Sequence, residues 1–286
     1  MITVFTPTYN RANLLPRLYE SLKKQTFKDF EWLIVDDGSA DGTRDLVGRW
    51  IKEKLIDIRY YCQENGGKHR AINWGAQLAK GEWFFIVDSD DYLPDNSLEI
   101  ANKWIRTIKD DDSFAGVCGV KKDVNGVLNL DFSFEKLDVS PLRIGEFTKG
   151  DKAEIFRTAI LKEYPFPDIP GEKFCAEGLI WFRIGLHYKL RYFNEVIYFC
   201  EYLDGGLSNW VIKNRRLSPG YTLLLYREQM SYAISKKKKV QAAINYWRFV
   251  WFSQEKHKYI NVPCFAYPFA AIGLLMCIKD SFSIRK

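Results

Sequence analysis

Three aspartates, Asp88, Asp90 and Asp91, follow the apolar run Phe85-Ile86-Val87 with only Ser89 among them. Carboxylates this close repel one another, and a cation between them relieves the repulsion. A divalent metal carrying a diphosphate suits such a place, because magnesium-type sites take one or two carboxylates and complete their shell with substrate oxygens and waters. The plainer alternative is a solvated turn leading into a helix capped by Asp95 or Asn96.

Two other runs hold polar groups behind apolar ones. Ile2 to Thr6 ends in Pro7-Thr8-Tyr9-Asn10, and Trp32 to Val35 ends in Asp36-Asp37-Gly38-Ser39. Tyr9 offers a flat surface for a base, and Asp37 an acceptor for an imide N–H such as that of uracil. As ordinary structure, the same residues make a helix entry and a capped turn. No GxGxxG follows the first run and no GxxxxGK[ST] occurs, so the common dinucleotide and P-loop cradles are missing.

The elements needed to gather these groups are legible in the first half. Strands are expected over 2–6, 32–35, 58–62 and 83–87, and helices over 13–24, 42–54 and 68–79. Alternation of this length predicts an α/β fold with a mostly parallel sheet flanked by helices. Ligands in such sheets sit beyond the carboxyl ends of the strands, where the three polar runs would converge. Beyond Asp95 a helix to about Ile108 and a strand over 115–121 are expected. Residues 123–170 read as strands and loops with turns at Asn125-Gly126 and Pro141, 179–186 as helix, 191–200 as strand, and the part from about Ser218 as helical and aromatic-rich.

Together the motifs resemble those of the family 2 glycosyltransferases, whose catalytic domain has the nucleotide-diphospho-sugar transferase (GT-A) fold. The carriers are TPTYNR at 6–11, VDDGSADGT at 35–43, ENGGKHRAINWGAQLAKGEW at 64–83 and VDSDDYLPDN at 87–96. The resemblance covers about residues 1–205. It implies a catalytic domain over 1–208, with a nucleotide-binding half in 1–95 and an acceptor half in 96–208, followed by a helical extension over 209–286. It also implies that Pro7, Tyr9 and Asp37 line a nucleoside pocket with Asp36 nearby, that Asp88 approaches the ribose, and that Asp90 ligates Mg²⁺ or Mn²⁺. Lys68 or Arg70 would touch the diphosphate, and Asn73 would position. The Tyr202 to Ser208 stretch resembles the family segment that closes the donor site.

The family places its base in a carboxylate pair at the start of a helix, and the comparable run here is Glu172 to Arg183. Glu177 is the expected base, favoured by a helix N-terminus that keeps a carboxylate ionised. Gly178 stands where an aspartate is common, which leaves Glu172 as the rival. Trp181 could stack on an acceptor sugar, although its helical spacing from Ile184 fits a core position better. The implied reaction is metal-dependent, inverting transfer from a nucleotide-diphosphate sugar, a UDP-sugar first, to a saccharide or lipid-linked acceptor in surface polysaccharide assembly. Two rivals stand beside it: a nucleotide-sugar-forming nucleotidyltransferase, and a membrane-associated subunit that binds nucleotide without turnover.

Composition adds bounds. The chain of 286 residues is 16% aromatic and carries a formal charge of +6, from 42 basic and 36 acidic residues. Lys213, Arg215, Arg216 and Lys236 to Lys239 stand out, either as a solvated face or as a site for anionic lipid or an anionic acceptor. Nucleic acid is not expected, since the basic residues are not interleaved with a binding motif. Six cysteines without CxxC pairing and three scattered histidines fit reduced thiols in the cytoplasm and give no zinc spacing. The start lacks a secretory leader pattern, so a cytoplasmic protein is expected, peripheral on the inner membrane face if its tail binds lipid. Residues 259–278 are nearly uncharged, with an uninterrupted apolar part, 269–278, shorter than the ~20 residues of a spanning helix. A buried terminal helix and a helix lying in the membrane interface both remain open for this tail.

Overall fold

The computed structural model describes residues 1–124, 132–201, 211–253 and 262–283. They form two compact units, the first of Met1–Phe166 with Ile180–Tyr202 and the second of Pro167–Leu179 with Leu203–Lys286. The segment before Glu177 thus packs with the carboxyl-terminal part of the chain, across the sequence boundary expected at 208. The Asn125-Gly126 turn and the Tyr202 to Ser208 stretch lie outside the described residues.

In the first unit the strands are β1 (Ile2–Thr8), β2 (Phe30–Asp36), β3 (Ile58–Cys62), β4 (Trp83–Ile86), β5 (Phe114–Asp123), β6 (Lys136–Val139), β7 (Ala153–Arg157) and β8 (Lys189–Cys200). They make one sheet in the order β3-β2-β1-β4-β7-β5-β8-β6. Pairing is parallel from β3 to β4 and between β5 and β8, and antiparallel where β7 and β6 join their neighbours. The helices are α1 (Leu15–Lys23), α2 (Thr43–Glu53), α3 (Lys68–Leu78), α4 (Ser97–Arg106), α5 (Thr158–Glu163) and α6 (Gly178–Ile184), the last running from the second unit into the first. α5 falls in the stretch read as strands and loops, because six residues are too few to show a helical period.

β1 and β2 are buried along their whole length, as central strands covered on both faces must be. On one face Ile2, Val4, Trp32, Ile34 and Phe85 pack with Leu18 and Tyr19 of α1, Trp50 of α2 and Leu98 of α4. Tyr19 and Trp50 stack with ring centroids 4.4 Å apart, and Trp32 lies 5.9 Å from Trp50. On the other face Phe5 stacks on Phe84 at 4.8 Å, and α3 approaches so closely that a Cβ on Gly75 would lie 2.1 Å from the Phe5 ring. That contact fixes α3, whose first residue is Lys68, against β1.

At the amino ends of the strands, buried Glu31 accepts from Thr3 Oγ1 at 2.7 Å, the Lys80 amide at 2.7 Å and Arg59 Nη1 at 2.9 Å. Burial opposes its charge, and these donors, with the Arg59 charge, outweigh burial and lower its pKa.

The second unit contains α7 (Val211–Leu217), α8 (Pro219–Ser231), α9 (Lys236–Val250), a 3₁₀ turn over Cys264–Phe269 and α10 (Ala270–Ser283). Helix begins earlier than the expected Ser218. Leu223, Met230, Tyr246, Trp247, Phe249 and Val262 form a core separate from that of the sheet. Trp247 Nε1 donates to Ala266 O at 2.8 Å, and Arg248 pairs with both Asp280 carboxylate oxygens at 2.6 and 2.7 Å.

Candidate functional site

The expected convergence at the carboxyl ends occurs. Thr8 is in register with Asp36, and Asp36 with Cys62, so β1, β2 and β3 end at one level. β1 pairs with β4 only as far as Phe5 and Ile86. Phe5 O accepts from the Val87 amide, whereas Thr8 O accepts from the Asp37 amide. Pro7, two residues beyond Phe5, therefore turns its donor-less nitrogen toward the β4 side, where the ladder has just ended. Residues 88–91 follow β4 just beyond that point. Pro7 itself is buried within β1, and Tyr9 beyond it is exposed. Thr8 Oγ1, buried at the strand end, has no hydrogen-bond partner among the described residues.

The loops after β1 and β2 hold each other. Ser39 Oγ accepts from the Asn10 amide and Asn10 Oδ1 from the Ala40 amide, both at 2.8 Å, while Asp41 accepts from the Ala12 amide at 3.0 Å. Asp36 accepts from Tyr60 OH at 2.6 Å and from the Ser39 amide at 2.7 Å. Asp37, expected as an acceptor for a base, makes hydrogen bonds within the chain. Its Oδ1 accepts from Gln63 Nε2 and the Gly66 amide, and its Oδ2 from Asn65 Nδ2 and the Gly67 amide. A carboxylate has about four acceptor positions, and here the chain fills all four. Asp37 thus fastens the loop that starts α3, in which Gly67 takes a φ of 101° open to glycine.

That loop distinguishes Lys68 from Arg70. Arg70 Nη1 turns back to Gly66 O, while Lys68 Nζ reaches Asp88 Oδ1 at 2.5 Å. Burial disfavours the Asp88 charge, but Lys68, then Lys121, reverse this and lower its pKa. Of the two expected diphosphate contacts, Lys68 is thus seen paired with the aspartate run. Asn73 behaves as a positioning residue: its side-chain amide makes reciprocal 2.8 Å bonds with the Phe166 backbone.

Beneath the aspartate run lies a network with no counterpart in the sequence reading. Asp91 is buried, with Lys121 Nζ 3.1 Å away and Tyr198 OH donating to it at 2.7 Å. The same Tyr198 oxygen accepts the Asp88 amide at 2.9 Å. Burial raises the Asp91 pKa to about 6 against the pull of Lys121, with Asp88 and Asp90 adding to the rise. Burial works against the Lys121 ammonium, yet Asp91 and Asp88 drive its pKa well above the usual lysine value. Arg17 completes the frame: it pairs with Glu201 at 2.5 Å, donates to Asp90 O at 2.5 Å and covers the Tyr92 ring. The only sequence signal for this network is Lys121 itself, a charge at the end of an apolar strand.

Asp91 is thus committed to the frame, leaving the carboxylates of Asp88 and Asp90. The Asp90 carboxylate accepts no hydrogen bond among the described residues, and no three His, Cys, Asp or Glu converge on a point among them. A site with one uncommitted carboxylate and an ion-paired neighbour fits a magnesium-type cation that shares its shell with substrate oxygens. It does not fit a cation held by protein alone.

In the second unit Glu172 and Glu177 differ. Glu172 accepts from the Gly220 amide at 2.7 Å and the Tyr221 amide at 2.9 Å, so both its oxygens serve the first turn of α8. Glu177 is half-buried immediately before α6. That helix has only seven residues, so the helix-end field acting on Glu177 is that of two turns. Trp181 packs on Phe156 with centroids 4.4 Å apart and edge-on to Phe166, which makes it a core residue.

The family model for glycosyl transferase family 2 matches residues 3–164. The glycosyltransferase GlyG of Streptococcus pneumoniae serotype 4 is 28% identical over 220 residues, covering 72% of each chain. The Staphylococcus aureus poly(ribitol-phosphate) beta-N-acetylglucosaminyltransferase TarS is 31% identical over 166 residues, covering 56% of this chain and 28% of its own. The chain also spans 31% of the hyaluronan synthase of Pasteurella multocida. Among solved structures, S. aureus TarS 1–349 in complex with UDP-GlcNAc superposes with a TM-score of 0.66 at 23% identity, covering 96% of this chain and 79% of that one. The mannosyltransferase PcManGT of Pyrobaculum calidifontis, in complex with GDP-Man and Mn²⁺, gives 0.59 at 19% identity, covering 97% and 80%. These likenesses bear out the expected GT-A fold.

Proposed function

This chain belongs to glycosyl transferase family 2, and from that premise we propose that it transfers a sugar from a nucleotide-diphosphate donor, a UDP-sugar first, to an acceptor hydroxyl with inversion. The observation that carries the proposal is the Lys68–Asp88 pair beyond the carboxyl end of β4, two residues before Asp90, whose carboxylate accepts no hydrogen bond among the described residues. One relative supports the choice of donor: TarS is named as an N-acetylglucosaminyltransferase and superposes on this chain as a UDP-GlcNAc complex.

In this reading Pro7 and Tyr9 border the nucleoside, and Asp36 and Asp37 brace the loops around it. Lys68 exchanges Asp88 for donor phosphate when the donor enters. Asp90, with Asp88 beside it, would hold Mg²⁺ or Mn²⁺, which when bound offsets charge on the departing diphosphate. Glu177 takes the proton of the acceptor hydroxyl, since Glu172 is occupied with α8. The acceptor oxygen then bonds to the anomeric carbon as the sugar–phosphate bond breaks, and the diphosphate leaves with the electron pair. The donor half is assigned to residues 1–95 and the acceptor half to 96–208, with a saccharide or lipid-linked acceptor in surface polysaccharide assembly on the cytoplasmic side.

The test is calorimetric titration with UDP, GDP and CMP, each with Mn²⁺ and with EDTA. UDP is expected to bind with Mn²⁺, to weaken at least ~10-fold in EDTA, and to lose its metal dependence in Asp90→Asn. Folded protein that binds none of the three overturns the proposal.

A further inference from the structure

α10 carries its polarity inside out. The side against α9 holds Gly273, Cys277 and Asp280, with Gly273 so close that a Cβ there would lie 2.4 Å from Trp247 Cβ. Asp280 is buried in this seam on Arg248. The opposite side bears Ile272, Leu275, Ile278 and Phe282 at helical spacing, all exposed, Leu275 and Phe282 by 67% and 69%. Phe265 and Tyr267 of the preceding turn are exposed as well. A helix at an aqueous surface turns its apolar stripe inward, and a contiguous outward row marks a surface that meets something apolar.

Charge identifies the occupant. Residues 203–286 hold fourteen Lys and Arg against four Asp and Glu, while the rest of the chain is net acidic. Lys279 is exposed on α10 next to Ile278. Arg216 of α7 reaches Ser281 Oγ at 3.5 Å, and on that helix Ile212, Lys213 and Leu217 are exposed. Apolar side chains bordered by cations and by aromatic rings suit the headgroup boundary of an anionic bilayer.

Among the described residues, 264–282 also has the length and composition to cross a bilayer, with a mean hydropathy of 1.3 and 22% of it buried. Crossing would carry the Arg248–Asp280 pair into hydrocarbon and strip α10 from α9, which makes that arrangement costly. We propose that α10 lies along an anionic membrane surface, with Ile272, Leu275, Ile278 and Phe282 inserted among the lipids and Arg216 and Lys279 at the phosphates.

Flotation of the full chain with vesicles tests this. One set is phosphatidylcholine alone and the other equal parts phosphatidylcholine and phosphatidylglycerol. The wild type is expected to float with the mixed vesicles, at least ~10-fold less with phosphatidylcholine alone, and to be released by high salt. Leu275→Glu with Phe282→Glu should lower partitioning at least ~10-fold at unchanged Tm, because both side chains are already exposed. Lys279→Glu with Lys213→Glu should lower binding to the mixed vesicles alone. The proposal is overturned if the wild type floats with neither vesicle, if the Leu275/Phe282 variant floats like the wild type, or if floated protein resists both salt and alkaline wash as a spanning helix does. A lipid-free dimer that Leu275→Glu converts to monomer also overturns it, since a second copy would then cover the face.

Discussion

Replacing Lys121 by Met tests whether the aspartate run rests on the buried network beneath it. Lys121 Nζ and Asp91 Oδ2 are 3.1 Å apart, with side chains 13% and 6% exposed. At an effective dielectric constant of ~20 their attraction is about 5 kcal/mol before desolvation is counted. Methionine keeps the stem's volume but leaves the Asp91 carboxylate buried with Tyr198 OH as its main partner, a loss of about 3–5 kcal/mol. Adding Asp91→Asn removes the stranded charge and keeps an acceptor for Tyr198, so the double variant should recover to within about 1–2 kcal/mol of wild type. Chemical denaturation followed by tryptophan fluorescence reads the stability, and UDP titration with Mn²⁺ reads the site. Since Tyr198 also holds the Asp88 amide, donor affinity should fall in the single variant and return in the double. A single variant within about 1 kcal/mol of wild type, or a double variant no more stable than the single, refutes the reasoning.

Three further outcomes follow from the geometry. Lys68→Met should weaken UDP binding by about 10-fold or more through loss of a phosphate-pairing cation, read by calorimetry. Glu177→Gln should cut turnover at least ~100-fold with donor binding kept, whereas Glu172→Gln should keep turnover and cost about 1 kcal/mol as a weakened cap of α8, read by a UDP-release assay and by melting. Glu31→Gln should destabilise by about 2–4 kcal/mol at pH 7, because the buried Arg59 pair is broken. The folded Glu31 pKa lies below its ordinary 4.5, so its contribution is complete above that pH and is lost as pH falls through the lowered folded value. Denaturation at pH 7 and pH 3 should show a gap between wild type and Glu31→Gln that closes in acid.

What the sequence made legible was what lies close along the chain. β1 to β4 and their helices repeat at short intervals, so hydrophobic period and turn residues located them, and the strand-end rule then gathered Pro7, Asp36 and Asp88. The partners that decide how those residues are used lie farther away. Tyr198 stands 107 residues from Asp91, and Glu172 meets amides 48 and 49 residues on, separations that carry no local pattern. For the same reason the four bonds from Gln63, Asn65, Gly66 and Gly67 to Asp37 left no local pattern. α5 is too short for periodicity to mark.

The interleaved course of the second unit bears on how the protein is made. Pro167 to Leu179 is held by residues translated 44 to 54 positions later: Ser218 Oγ accepts the Phe174 amide, and Tyr221 OH bonds to both Pro167 O and the Ile169 amide. At about 5–20 residues per second, the segment that ends beside Glu177 waits roughly 2–10 seconds after synthesis for its partners. In that interval β8 is synthesised and can close the sheet against β5, so the sheet should mature before the 167–179 stretch does. Proteolysis of released chains truncated near residue 205 should therefore cut within 167–179 while sparing the sheet. Equal protection of both would mean that the segment folds without its later partners.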